Sequence, residues 1–253
     1  MTKNLLIGSI AALVILGSIM FYAATKPLPA AVPAMTLPEN GYSEHAPYYD
    51  IAANYATSTP LLTEVGPAAN AAAVALMEKF IGNTISQFKT DGNFANLTAS
   101  DISTMGLSQG RKETLQITYL IASSPHTVSY IYTTYTDTLG AHGNMFFRTF
   151  TFDTTTGAAL SLADLFAPGT EYLGTLSGLA RAKLPGVIGG TVDTGMIANG
   201  TTPEDKHFSN FFFDNKDFVI LFDPYAVAPY SAGPQTLRIP VAQLADILKP
   251  EYR

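Results

Sequence analysis

The sequence predicts an α+β fold in which antiparallel β-meander sheets pack with a few helices, preceded by a single N-terminal transmembrane helix. Three observations lead to this prediction: an uncharged apolar run near the amino end, an apolar stripe with helical spacing near residue 80, and three long alternating runs joined by short turns. Because the alternating runs follow one another without intervening helical segments, antiparallel pairing is favoured over a doubly wound parallel sheet.

The opening residues, 1–25, are predicted to anchor the chain in a membrane. Leu5 to Ala24 are uncharged, and a helix of that length spans about 30 Å, the thickness of a bilayer's hydrocarbon core. A cleaved signal peptide, whose apolar core is about 7–15 residues long, and a buried helix of a soluble core are the alternatives. Lys3 and Lys26 nearly balance across the run, so charge barely sets the orientation. The short head and large C-terminal part favour an extracytoplasmic domain on a single-pass cell-membrane protein.

The next segment, residues 26–47, is predicted to be a tether. It contains Pro27, Pro29, Pro33, Pro38 and Pro47 among small residues. Because proline fixes φ and lacks a backbone donor, such a stretch favours an extended spacer over a packed element. The folded domain is therefore predicted to span 48–253, with an N-terminal half of about 48–135 and a C-terminal half of about 136–253.

The N-terminal half is predicted to contain one long helix, over residues 67–89. Pro67 suits the first helical position, and apolar residues recur at three- and four-residue spacing. Alternating or β-branched residues then predict three strands. The stripe comprises Met77, Phe80, Ile81, Ile85 and Phe88, and the strands cover 114–122, 127–137 and 145–152.

The C-terminal half is predicted to mix short strands and helices. A helix over 170–184 has Thr170 as its cap and Pro185-Gly186 as its stop, and the glycine-rich residues 186–201 indicate a loop. The remaining predictions are a short strand near Leu160, a short helix start at 202–205, a hairpin of 211–213 with 218–223, a strand over 237–239 and a terminal helix over 240–248.

Composition excludes several functional classes. The chain has no cysteine, so no disulfide or thiolate chemistry is possible. Its net charge of −6 disfavours nucleic acid, which needs basic patches, and is compatible with a cationic partner. The four histidines, His45, His126, His142 and His207, show no metal-binding spacing. No cofactor and no metal site are predicted.

Four residues are predicted to bind a partner. His142 lies in a glycine-flanked turn, and Asn144 follows it directly. Tyr225 and Tyr230 lie in a proline-rich tract, where aromatic side chains on loops make good interface anchors. The alternative for each is a purely structural role in its turn or loop.

Catalysis is not predicted. Asp153, Asp164 and Asp223 are the candidates for a carboxylate pair of the kind that glycoside hydrolysis uses. Each has a simpler interpretation, because aspartate commonly opens turns. We therefore expect no catalytic residue in this chain.

Several motifs resemble one bacterial family. Thr151–Gly157, Leu160–Phe166, Gly140–Asn144 and Phe222–Gly233 are similar to segments of the RsiV/PdaC-like extracytoplasmic domain, whose function is largely unknown. The resemblance covers about 48–250. In that family the domain binds lysozyme in an anti-sigma factor, and precedes a separate deacetylase domain in polysaccharide deacetylases. This sequence matches neither precedent in full, because it shows neither a cytoplasmic sigma-binding segment nor a catalytic deacetylase domain.

Together, these observations predict a membrane-anchored, extracytoplasmic, non-catalytic binding domain. The resemblance implies recognition of a cell-wall glycan or other cell-wall component, or of a lysozyme-like cationic protein. The alternatives are a cell-wall-modifying hydrolase and a structural partner of another envelope protein.

Overall fold

The structure is a computed structural model and describes residues 41–253. The predicted anchor, residues 1–25, and most of the predicted tether lie outside the described residues. Within 41–253, none of the helices combines the length and the apolar character that crossing a membrane requires.

A six-stranded mixed sheet forms the first layer. Its strands lie side by side in chain order, and all neighbours are antiparallel except β2 and β3, which run parallel. The predicted meander is therefore correct for β3 to β6, and the α+β class is confirmed. The strands are β1 (Tyr42–His45), β2 (Tyr49–Ala53), β3 (Glu113–Ser123), β4 (Thr127–Asp137), β5 (Asn144–Asp153) and β6 (Ala159–Leu160).

A helical crossover joins β2 to β3, as a parallel pair requires. It contains α1 (Pro60–Val65), α2 (Pro67–Gly92) and α3 (Ala99–Thr104). The predicted stripe of α2 is confirmed, because Met77, Ile81 and Ile85 are fully buried against β2, β3 and β4. The core of this half therefore lies between α2 and one face of the first sheet.

A three-stranded antiparallel sheet with two helices forms the rest of the domain. The predicted hairpin is β7 (Phe211–Asp214) and β8 (Asp217–Phe222), and β9 (Gln235–Pro240) completes the sheet. The helices α4 (Tyr172–Ile188) and α5 (Thr194–Gly200) contribute Leu176, Leu184 and Ile197 to its core.

The two sheets meet at β4. The side chains of β4 alternate between faces, and the strand is buried on both. Tyr130 and Tyr132 pack toward α2, whereas Ile131 packs against Phe212 and Val219 of the second sheet. A strand at the centre of two cores explains why its sequence is apolar and β-branched on both faces.

Four predicted boundaries are wrong. Strand β1 occupies residues assigned to the tether, so the folded part begins before residue 48. Helix α4 starts at Tyr172 without using Thr170 as a side-chain cap, and it continues through Pro185. Pro185 lies in the last turn, where its missing donor costs one bond at most. Helix α5 replaces part of the predicted 186–201 loop, because Asp193 accepts from the Gly195 and Met196 backbones.

The predicted terminal helix over 240–248 is also wrong. Pro240 ends β9, and only Val241–Gln243 form a 3-10 turn. The backbone of this segment bonds to other parts of the chain: Val241 N–H donates to the Lys216 carbonyl at 2.8 Å, and the Ile247 carbonyl accepts from Ala167 at 2.8 Å. These tertiary bonds replace the helical ones.

Candidate functional site

Three of the four predicted binding residues meet in one place, which we call the aromatic cluster: His142, Tyr225 and Tyr230. The ring centroids of His142 and Tyr230 lie 3.8 Å apart and nearly parallel, at 19°. Tyr225 completes the cluster, with its centroid 5.4 Å from Tyr230 and 6.2 Å from His142. The turn after β4 and the loop after β8 thus bring together residues that are 83 positions apart in sequence.

Hydrogen bonds within the aromatic cluster fix its geometry. The Gly143 carbonyl accepts from the Tyr230 hydroxyl at 2.7 Å and lies 2.9 Å from His142 Nδ1. Because a carbonyl only accepts, Nδ1 must donate, which leaves Nε2 of a neutral imidazole to accept from the Tyr225 hydroxyl at 3.3 Å. The polar atoms of the cluster therefore satisfy one another.

Glycines that the sequence analysis did not assign to the site hold its two loops in place. A Cβ on Gly143 would lie 2.2 Å from the Tyr135 hydroxyl oxygen, and one on Gly200 would lie 1.9 Å from the Ala226 carbonyl oxygen. The approach at Gly200 is to backbone and excludes any other residue, whereas a side chain at Gly143 would require the Tyr135 ring to shift. For Gly143 the sequence signal was the glycine-flanked histidine; for Gly200 there was none.

Asp223 fastens the loop after β8 to the edge of β5. Its Oδ1 accepts from the Phe147 backbone N–H at 2.8 Å. Burial raises the pKa of the Asp223 carboxyl, and the bond from Phe147 opposes that rise. Asp223 was one of the candidates for a catalytic carboxylate, and in the structure it holds the loop in position.

Tyr225 combines an exposed ring with an unfavourable backbone. Its side chain is 55% exposed, and its φ of 68° lies in the left-handed region, which non-glycine residues rarely occupy. Strain of this kind persists where the surrounding structure enforces it, and it is concentrated at functional sites. Asn144 is exposed and pairs with Thr136 at the start of β5, but no hydrogen bond joins its side chain to another residue within 41–253.

The other two candidate carboxylates hold turns. Asp153 accepts from the backbones of Thr155 and Thr156 and from the Tyr252 hydroxyl. Burial raises its pKa, but these bonds outweigh burial and the net shift is downward. Asp164 accepts from the Ser161 backbone and hydroxyl, which lower its pKa.

The remaining histidines lie apart from the aromatic cluster. His45 lies on β1 beside Asp50, with 2.9 Å between Nδ1 and Oδ1. His126 precedes β4, whereas His142 follows it, so the strand separates them. His207 lies against Thr202. Across the described part of the chain, no three histidine or carboxylate side chains are grouped to hold a metal ion.

Two sequence comparisons match parts of the chain. The family model described as "Protein of unknown function (DUF3298)" matches residues 163–242, which include Tyr225 and Tyr230. The peptidoglycan-N-acetylmuramic acid deacetylase PdaC of Bacillus subtilis is 32% identical over 143 residues, which are 56% of this chain. The match covers 31% of the length of that enzyme.

One solved structure shares the fold. A member of the DUF3298 family from Bacteroides fragilis superposes with a TM-score of 0.53 at 16% identity, covering 83% of this chain and 92% of that one. A DUF3298 protein from Pseudomonas aeruginosa covers 87% of this chain and 97% of its own, with a TM-score of 0.43 at 16% identity. Residues 163–242 therefore match the DUF3298 family model, and the chain is similar to part of PdaC, as the sequence motifs predicted.

Proposed function

We propose that this chain is a non-catalytic binding domain of the cell envelope, which recognises a cell-wall component or a lysozyme-like cationic protein. The relative from Bacillus subtilis acts on peptidoglycan by its name, which supports a role at the cell wall. The chain spans about a third of that enzyme's length. In the family that the motifs resemble, the accessory domain is separate from the deacetylase, and we propose the accessory role here.

The aromatic cluster is the observation that carries this proposal. Tyrosine side chains give large, rigid contact area at low entropic cost, and they dominate many binding sites. Here the internal hydrogen bonds fix the rings before any partner arrives, so little further ordering is needed on binding. The exposed ring of Tyr225 is the part offered to that partner.

The net charge and the N-terminal sequence support the remaining parts of the proposal. A chain of net charge −6 attracts a cationic protein and accelerates its encounter. The apolar run from Leu5 to Ala24 would hold the domain at the membrane, and we propose that the domain lies on the extracytoplasmic side.

Calorimetry of the full chain in detergent micelles tests the proposal. We expect heat of binding with lysozyme or with soluble peptidoglycan fragments, and at least about a tenfold loss of affinity in Tyr225→Ala. Leu120→Ala is the matched control, because Leu120 is an exposed apolar residue on β3, outside the aromatic cluster. No binding in either titration would contradict the proposal, as would turnover of the fragments by the chain.

A further inference from the structure

A cavity lies on the face of the first sheet that packs against α2, opposite the face that packs against the second sheet. The cavity, of about 930 Å³, opens between the C-terminal part of α2, the segment around α3, and the ends of β3, β4 and β5. Its floor contains Phe88, Glu113 and Leu115, which are buried. None of the three residues of the aromatic cluster lines it.

Glu113 is the unusual member of this floor. It begins β3, shares the α2-facing side of the strand with Leu115, and is only 4% exposed. Its carboxylate makes no hydrogen bond or ion pair with any residue in 41–253. A buried charge without a partner is costly, so a carboxyl in this position is held neutral or is satisfied by water, an ion or a ligand.

The neighbouring basic residues do not neutralise Glu113. Lys112 pairs with Asp50 on β2, with 3.0 Å between Nζ and Oδ1. Arg111 donates from Nη1 to the Met105 carbonyl at 3.3 Å. No lysine, arginine or histidine lines the cavity within the part of the chain that the structure describes.

The charge around the cavity is negative. Asp91 and Asp101 are exposed at its rim, and Asp137 lies on the neighbouring strand β4. Burial raises the pKa of the Glu113 carboxyl, and the charge of Asp137 raises it further. A cation bound in the cavity would oppose both effects and lower the pKa of Glu113, because a nearby positive charge favours the ionised carboxylate.

The lining changes in character with depth. Exposed polar groups such as Asn83 and Gln87 surround the opening, the half-buried Leu97 and Phe146 form part of the wall, and Glu113 lies buried below. An aliphatic side chain that ends in one positive charge matches this arrangement, because its stem would pack against the apolar wall and its charge would reach Glu113. A metal ion matches it less well, because the floor offers a single carboxylate.

We infer that this cavity binds a lysine or arginine side chain of a partner polypeptide, with Glu113 accepting the charged group and the apolar wall packing against the stem. The inference rests on the proposed function for the existence of a partner. It uses a different surface from the aromatic cluster, so the two can fail separately.

Nuclear magnetic resonance titration of the isotope-labelled full chain in micelles tests this inference. The probe is Nα-acetyl-lysine methylamide, and the control is the corresponding norleucine compound, which has a similar aliphatic stem without the charge. We expect saturable shifts of the Phe88, Glu113 and Phe146 amides with the lysine probe alone. Equal shifts with both compounds, or none up to about 100 mM lysine probe, would overturn the inference.

Two variants separate the sites. Glu113→Gln removes the charge with little change in shape and should weaken the lysine probe at least about tenfold, whereas Tyr225→Ala should leave that affinity unchanged. Retained affinity in Glu113→Gln would contradict the inference, and the lysine–norleucine comparison remains decisive if that variant does not fold. Saturable binding of glucosamine or Ca²⁺ at these amides without lysine binding would also contradict it.

Discussion

Two carboxylates of this domain are similarly buried but differ in their hydrogen bonds and in the direction of their pKa shifts. Asp153 and Glu113 are similarly buried, at 8% and 4% exposure. Asp153 accepts hydrogen bonds from Thr155, Thr156 and Tyr252, and its pKa is lowered. Glu113 has no such partner among residues 41–253, and its pKa is raised by burial and by Asp137. Equal burial therefore gives opposite shifts, because hydrogen bonding decides the sign.

The comparison separates structural from functional carboxylates. Asp153 joins the turn after β5 to the C-terminal Tyr252, so its bonds belong to the fold. Glu113 contributes nothing comparable to the fold, and its carboxylate is available to a ligand. Burial alone does not distinguish Asp153 from Glu113, whereas their hydrogen bonds do.

The largest effect is expected from Asp153→Asn, which should destabilise the domain by about 2–3 kcal/mol. The neutral amide weakens the charge-assisted bonds that Oδ1 accepts from the Thr155 and Thr156 backbones and the Thr156 hydroxyl, and it replaces the Oδ2 that accepts from the Tyr252 hydroxyl with a donor. Chemical denaturation with extrapolation to water measures the change. The matched control is Tyr252→Phe, which removes one of the bonds and should cost about 1 kcal/mol. An unchanged free energy of unfolding in Asp153→Asn would contradict the structural role given to the hydrogen bonds of Asp153.

Glu113→Gln should act in the opposite direction and stabilise the domain by about 1–2 kcal/mol at pH 7, because it removes a buried charge without a partner. The same denaturation measurement applies. Glu64→Gln is the control, since Glu64 is an exposed carboxylate on α1, and it should change the free energy of unfolding by less than about 0.5 kcal/mol. Destabilisation by Glu113→Gln would show that the carboxylate has a partner.

The pH dependence should differ in sign between the two sites. Glu113 has a raised pKa, so the folded state holds its proton longer, and the free energy of unfolding falls as the pH rises above 4.5. Asp153 has a lowered pKa, so its contribution is complete above 3.8 and is lost as the pH falls below that value. Between pH 3 and pH 8, the pH-dependent part of the free energy of unfolding should therefore separate the two variants from the unsubstituted chain toward neutral pH and in opposite directions, with Glu113→Gln more stable and Asp153→Asn less stable. Differences that do not change with pH would contradict this.

The smallest stability effect is expected in the aromatic cluster. Tyr225→Gly relieves the φ of 68° and removes an exposed ring, so it should be neutral or stabilising by up to about 1 kcal/mol. The same variant should lose affinity for the partner that calorimetry identifies. A loss of more than about 1 kcal/mol of stability would mean that Tyr225 mainly supports the loop.

The sequence predicted the elements that depend on local pattern. The helix from Pro67, strands β3 to β5 and the β7–β8 hairpin follow from periodicity and turn residues. The parallel pairing of β2 with β3 and the fate of 240–248 depend on bonds to distant segments, such as Val241 to Lys216. Periodicity carries no information about such partners, and this is where the predictions were wrong.

The candidate site divides in the same way. His142, Tyr225 and Tyr230 were predicted from their turn and loop motifs, but their stacking depends on contacts across 83 or more positions. Glu113 was not predicted as a site residue, although a signal was present. It lies in phase with Leu115 and Ile117, which the alternation of β3 turns toward the core.

The most direct test is the pKa of the Glu113 carboxyl, measured by carbon-detected magnetic resonance in the full chain with and without saturating Nα-acetyl-lysine methylamide. We expect a value above the ordinary 4.5 in the free chain, and a fall when the probe binds. A value at or below 4.5 without the probe would show that Glu113 already has a partner and would contradict the account.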